Sequence, residues 1–492
     1  MNNSSIIFLM ICAFTFVPLF LAEVARRKSR PTGADFFLQS RKMGLFPMYA
    51  TVFATWMSAF AFMGAISYFY EEGPVYMTTV GWDALFAILF YFVGRRIWYY
   101  GKINNYTTPA DFFHDIYGSR ALDLLVTGIT FLFTMLYIQL QMVGGLFLIQ
   151  IATNGFISWR VSGVIFFAVL IIYLWAGGLR AVAMTDIFYG ALIIVTIFIA
   201  GIFLIKIGGG MEEIYTALMN GDTSHISLSG KNSGERTALW LCLFVIVPVG
   251  AFMGPQMWIR NYAAKSEKNF EALPFLLVLS SVIFIGTLLA GSAGVILEPH
   301  TDNPDALLAD LVLKSGHPIL TAVIFLGITA AIFSTANSQI HAIATIYAVD
   351  IHKKYINRNI PERSLVTVAK WTVLVISVLS YILLMVIPKS IFDMAIFATG
   401  GTAQLIVPVI GALLWKRSSA KGAIAGILAG VISFLGLAEV SGTDTSVCAA
   451  AGLFANAVIF IWVSLYTGNS TETGFKIGAY REAFSRRRKK SK

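Results

Sequence analysis

Residues 330–339 read Ala-Ala-Ile-Phe-Ser-Thr-Ala-Asn-Ser-Gln, inside an apolar stretch spanning 318–349. That stretch exceeds the roughly 20 residues a helix needs to cross a bilayer. Ser334, Thr335, Asn337 and Ser338 crowd neutral oxygen-bearing side chains into less than two helical turns. Two readings stand. The side chains bond back to their own helix carbonyls or to a neighbouring helix. Alternatively, they offer uncharged oxygen ligands to a small hard cation such as Na⁺.

The rest of the chain has the same character. Of 492 residues, 57% are hydrophobic and 13% charged, where a soluble domain carries about 25% charged. Mean hydropathy is +0.75. This is the composition of a polytopic helical membrane protein, because backbone polar groups in lipid must be satisfied within a helix. Alternating ten-residue strand patterns are absent, which excludes a β-barrel.

Apolar spans are expected near 5–24, 44–70, 76–95, 121–152, 160–178, 184–206, 236–259, 272–296, 318–349, 367–387, 391–415, 421–440 and 446–467, about thirteen in all. The net charge of +10 does not point to nucleic acid. Basic residues gather in alternate loops or at the helix ends that border them, among them Arg26, Arg27, Lys28, Arg95, Arg96, Arg120, Arg180, Arg260, Lys353, Lys354, Lys416 and Arg417. That asymmetry places the N-terminus outside and the C-terminus in the cytoplasm of a plasma-membrane protein. The final run Arg486-Arg487-Arg488-Lys489-Lys490 is a topology signal or a contact with anionic lipid headgroups. Cys12, Cys242 and Cys448 form neither a disulfide framework nor a metal site. The first apolar run lacks a basic leader and a clear cleavage site, so it reads as a retained helix. The chain divides into a first helix and loop (1–43), a core (44–415), and two further helices with a basic tail (416–492).

Two spans are built to break. One carries Ala54-Thr55-Trp56-Met57-Ser58-Ala59 with Gly64 beyond; the other carries Pro248-Val249-Gly250 and Gly254-Pro255-Gln256. Proline removes a backbone donor and frees a carbonyl, and secondary transporters bind cargo where helices are interrupted near the midplane. Leaving aside the leading helix, these are the first and sixth of the remaining spans. An inverted five-plus-five repeat places its interrupted helices there. Simple kinking is the alternative.

At this point the chain resembles the sodium:solute symporter family over nearly its whole length. The resemblance rests on Ser40-Arg41-Lys42-Met43-Gly44, Trp175-Ala176-Gly177-Gly178-Leu179-Arg180-Ala181, Thr185-Asp186, Gly254-Pro255 followed by Arg260, and Ser334-Thr335 with Asp350. It implies a LeuT-like five-plus-five inverted repeat with extra flanking helices. It also implies Na⁺-coupled import of a small organic solute by alternating access. The implied principal Na⁺ site takes carbonyls from Ala54, Met57 and Ala331 and hydroxyls from Ser334 and Thr335. Positions 331, 334 and 335 share one helix face. Some members hold a second Na⁺, whose matching positions are Asp186, Ser334, Asn337 and Ser338; Asn337 stands where serine is usual. Asp186 has two other readings, an inner gate and a carboxylate favoured by a helix N-terminus.

The cargo pocket is expected beside the breaks. Candidates are Thr55, Trp56, Ser58, Tyr137, Gln139, Gln141, Gln256, Thr402 and Gln404. Gln139 and Gln141 are two apart and cannot share a helix face. Trp56 either walls the pocket, acts as a lid, or packs. Asp83 either binds cargo or a cation, or sits in an outer vestibule. No Lys or Arg is expected near the pocket. An amino acid, vitamin or organic acid is the expected cargo class, with membrane lipid as the surroundings, no nucleic acid and no obligate protein partner. Proton coupling on the same fold, or a membrane sensor or scaffold without transport, are the competing readings. Nothing suggests an enzyme.

Overall fold

The computed structural model describes residues 3–30, 32–73, 78–221, 225–226, 233–384, 391–440, 442–467 and 471–491. These residues are helical almost throughout and form no strand. Among the described residues, nine helices are long and apolar enough to cross a membrane, and the number is eleven if each of two bent pairs is one span. The other two expected spans fall on the continuous helical run 78–104 and on the apolar segment Trp159–Ile172. Parts of the expected external loop 207–235, and residues 76–77 and 385–387 of expected spans, lie outside the described residues.

The two bent pairs are the two spans that carry the break signals. Leu45–Trp56 meets Phe60–Glu72 at 53°, and Thr237–Met253 meets Pro255–Ala263 at 57°. In the second, Gly254 is extended (φ −58°, ψ 137°) and Pro255 opens the new helix, a position where its missing N–H costs nothing. No loop interrupts the segment expected at 179–183. Two helices meet directly at Gly178 within Trp159–Ile207, and Gly178 itself is non-helical, with φ 57° and ψ −151°. A side chain there would meet Phe36 O at 2.6 Å, so both conformation and space require glycine.

Pro318–Ile346 lies at the centre of the bundle. In its span, 78% of the apolar window is buried inside the protein, against 28% for Ala420–Val440. On one face the loop expected at 297–317 folds into the short helix Leu307–Lys314. Just before it, Asp305 accepts the Ile391 amide at 2.9 Å. At the other end the basic tail forms the helix Thr471–Ser491. It is docked rather than free: Tyr480 donates to Asp115 at 2.6 Å and Arg487 reaches Glu267 at 3.1 Å.

Candidate functional site

The first broken helix ends at Trp56, and the last carbonyls of a helix lack intrahelical donors. The central helix supplies donors. Ser334 Oγ donates to Ala54 O at 2.8 Å and to its own Ala331 O at 3.0 Å. Thr335 Oγ1 donates to Thr55 O at 2.9 Å. Three of the expected Na⁺ ligands, Ala54, Ala331 and Ser334, are therefore joined directly, and Thr335 is held against the next carbonyl of the same broken helix. Met57 occupies the break itself, with its amide on Phe53 O. Beyond it, Ala59 N donates to Gln141 Oε1 at 3.0 Å and Phe60 N to Ser58 Oγ at 3.1 Å. Gln141 and Ser58 thus satisfy the amides that the break exposes.

Two expectations are corrected here, a cytoplasmic Arg260 and a pocket with no Lys or Arg near it, since Arg260 bonds the cavity residues Thr55 and Gln256. Arg260 does not lie in a cytoplasmic loop. It is on Pro255–Ala263, only 1% exposed, deep among the broken helices. Its guanidinium donates to Thr51 Oγ1 (2.7 and 3.0 Å), Thr55 Oγ1 (2.8 Å), Ser338 Oγ (2.5 Å) and Gln256 O (2.9 Å), and reaches Asp186 Oδ2 at 3.5 Å. A charge this deep needs a counter-charge and several hydrogen bonds, and it has both. Asp186 Oδ1 and Asn337 Oδ1 are buried with no hydrogen-bond partner among the described residues. Asp186 is far from a helix start: it lies within Gly178–Ile207, accepting from Thr51.

Two narrow cavities, each ≈ 20 Å³, share Trp56, Tyr137 and Thr399 in their walls, with room for about one water each. Thr55, Trp56, Tyr137, Gln256 and Thr402 line the first; Trp56, Met57 and Tyr137 line the second. Gln139, Gln404 and Asp83 face elsewhere. Gln139 donates to Met135 O, one turn back on its own helix. Gln404 donates to Gly400 O and Ala449 O, holding a flanking helix. Asp83 is buried behind Trp56, accepting from the indole Nε1 on one oxygen and from Ser281 Oγ at 3.0 Å on the other. Trp56 is fixed further by stacking on Phe86, with centroids 4.6 Å apart.

Sequence reasoning missed Phe133, Thr134, Gln339 and Thr399, which also line the first cavity. Helical spacing carries the signal for two of them. Gln339 is one turn past Thr335, and Thr399 is three before Thr402. Arg260 likewise is one turn past Gln256, on the same face. A larger cavity, ≈ 770 Å³, opens at the end that carries Arg120, Lys353, Lys354 and Arg358. Its lining is charged and lies away from the breaks. There Lys354 bridges Asp111, Asp123 and Asp350 at 3.0, 3.3 and 2.8 Å.

Two helices broken beside a central helix, with carbonyls freed at one break and taken up by that helix's hydroxyls, and with small cavities at the breaks, have the architecture of a secondary transporter of the LeuT type. Structural neighbours bear out the fold. A Na⁺-coupled sialic acid symporter in a substrate-bound outward-open state superposes with a TM-score of 0.77 at 21% identity, covering 94% of this chain and 98% of that one. Mhp1, a nucleobase-cation-symport-1 family transporter, gives a TM-score of 0.60 at 16% identity, covering 92% of this chain and 99% of its own. The sodium:solute symporter family profile matches residues 36–430, and the chain belongs to that family. Among its relatives, the sodium/pantothenate symporter of Haemophilus influenzae is 26% identical, covering 89% of this chain and 91% of its own length. The sodium/proline symporter of the same organism is also 26% identical, covering 84% of each chain.

Proposed function

We propose that this symporter imports a small organic solute together with Na⁺, which binds where the first broken helix meets the central helix. The ligands are Ala54 O, Met57 O, Ala331 O, Ser334 Oγ and Thr335 Oγ1. The observation that carries this reading is the contact of Ser334 Oγ with both Ala54 O and Ala331 O. It draws three of the proposed oxygens together across two helices. Neutral hard oxygens at a helix break suit an alkali cation. Na⁺ binding there would stabilise the broken segment beside Thr55 and Trp56, which line the cargo cavity. Coupling is reciprocal, so each ligand raises the affinity of the other.

Asp186, Asn337 and Ser338 form the candidate second Na⁺ site. Its support is the pair of partnerless oxygens on Asp186 and Asn337. Ser338 is already engaged by Arg260. The basic residues at one end of the bundle support an N-terminus outside and a C-terminus in the cytoplasm. The direct test is the melting temperature of purified protein in NaCl against KCl at equal ionic strength. Na⁺-selective stabilisation is expected. Identical curves in the two salts would move the weight to proton coupling.

A further inference from the structure

Asp83 is a buried carboxylate without a cation among the described residues, and the role inferred for it rests on the symport reading above. We propose that Asp83 is the counter-charge of the transported Na⁺. Trp56 holds it one side chain away from the first break, where it lowers the electrostatic cost of placing a cation among neutral oxygens.

Six aspartates are buried among the described residues: Asp35, Asp83, Asp123, Asp186, Asp305 and Asp350. Four of them have a cation between 2.7 and 3.5 Å away: Arg180 for Asp35, Lys354 for Asp123 and Asp350, and Arg260 for Asp186. Asp305 lies between spans, just before Leu307–Lys314, and accepts the Ile391 amide. Asp83 is the exception. It lies within the helix Thr78–Leu89, 1% exposed, and bonds only neutral donors: the Trp56 indole on one oxygen and the Ser281 hydroxyl on the other. An indole N–H can only donate, so Asp83 Oδ1 accepts. A carboxylate this deep in a span is costly unless a cation comes to meet it.

The side chains that Asp83 joins belong to the region of the proposed ion site. Trp56 ends the helix Leu45–Trp56. It stands between Thr55, whose carbonyl accepts from Thr335, and Met57, whose carbonyl is a proposed ligand. Ser281 lies in the turn between Asn269–Ser280 and Ile283–Leu297, so Asp83 pins the first break to a neighbouring interruption. The proposed ligands, Ala54 O, Met57 O, Ala331 O, Ser334 Oγ and Thr335 Oγ1, are all neutral. Na⁺ held by them brings an uncompensated charge into a low-dielectric interior. Arg260 and Asp186 already offset each other, which leaves Asp83 as the unmatched buried charge beside the break, and its sign is opposite to that of Na⁺. Trp56 and Ser281 occupy both of its oxygens, so it acts at a distance rather than as a ligand. A unit charge on the order of 10 Å away in a partly screened interior changes a cation's affinity roughly tenfold.

The test is the melting temperature of the purified full-length protein against Na⁺ at constant total salt, with K⁺ as the balancing ion. Asp83→Asn keeps the shape and removes the charge; its Oδ1 still accepts from Trp56 and its Nδ2 donates to Ser281 Oγ. Its melting temperature in KCl should equal or exceed the parent's, because an unmatched buried charge is gone, while its Na⁺ midpoint should rise about tenfold. A purely structural role would not move the two readings in opposite directions. Ser281→Ala is the control. It removes a hydrogen bond and keeps the charge, so the KCl baseline should fall and the midpoint should stay within about threefold of the parent. Where Asp83→Asn does not fold, Asp83→Ser, also neutral, is read in its place. A Na⁺-selective parent whose neutral variant keeps the parent's midpoint overturns the counter-charge role. A loss beyond about a hundredfold, the size expected of a direct ligand, also overturns it. So does a Ser281→Ala midpoint that shifts as far as that of Asp83→Asn, which would reduce Asp83 to an anchor for the turn. A parent with identical curves in the two salts overturns the symport reading and the counter-charge with it, so the two failures are told apart.

Discussion

Replacing Ser334 with alanine should act twice, and the two effects can be separated. Without Na⁺, the Ser334 hydroxyl satisfies Ala54 O, a carbonyl left over at the helix break. Removing it leaves a buried acceptor unpaired, which costs about 1–3 kcal/mol. The melting temperature in KCl should therefore fall. With Na⁺, the same substitution removes one oxygen from the cation. A hydrogen-bond-scale interaction with a charged group is worth about 1.5–3 kcal/mol, so the Na⁺ concentration for half-maximal stabilisation should rise about 10- to 150-fold. Thr335→Ala should behave in the same way. Thr335→Ser keeps the hydroxyl and should stay within about threefold of the parent, because only a methyl is lost. The assay is melting temperature against Na⁺ at constant total salt, with K⁺ as the balancing ion. A folded Ser334→Ala protein with an unchanged Na⁺ midpoint would refute the ligand assignment, whatever happens to its baseline.

Arg260→Ala leaves Asp186 buried without its cation and should destabilise by about 3–5 kcal/mol, read as a lower melting temperature and a smaller monodisperse fraction in detergent. Adding Asp186→Asn should recover part of that loss, and a single variant as stable as the parent would contradict the pairing. Gly250→Ala should prevent proper assembly, because its Cβ would sit 2.0 Å from Thr399 O, whereas Gly128→Ala meets nothing within 4 Å and should be neutral or slightly stabilising; equal gel-filtration profiles for the two would count against this packing. Lys354→Met removes the cation shared by Asp111, Asp123 and Asp350 and should lower the melting temperature, though by less than Arg260→Ala, since the Lys354 side chain is 25% exposed and solvent screens it.

The fold was legible because its signals are local. Long apolar runs, Gly254-Pro255 and the Ser334-Thr335 pair each lie within one or two turns, and the breaks formed at those places. The resemblance then supplied the pairing of helices far apart in sequence. Where the reading went astray, the deciding contact was long-range. Arg260 looked like a residue at the edge of a cytoplasmic loop because it follows a proline break and precedes a polar stretch. Only the fold shows Thr51, Asp186 and Ser338 closing around it from other helices. Gln141 and Gln404 were pocket candidates because their helices were expected to border the breaks. Each instead satisfies backbone groups, at the break in one case and against a flanking helix in the other. Polarity within a span marks where a partner is needed; it does not say whether that partner is cargo or backbone.

The central claim is that Na⁺ binds where the first broken helix meets Ser334 and Thr335. Equilibrium binding of ²²Na⁺ to the purified protein, and to the Ser334→Ala/Thr335→Ala double variant, tests it most directly. The account predicts saturable binding displaced by unlabelled Na⁺ but not by K⁺, and its loss in a double variant that remains monodisperse. No saturable binding to the parent protein, or undiminished binding to the double variant, would contradict it.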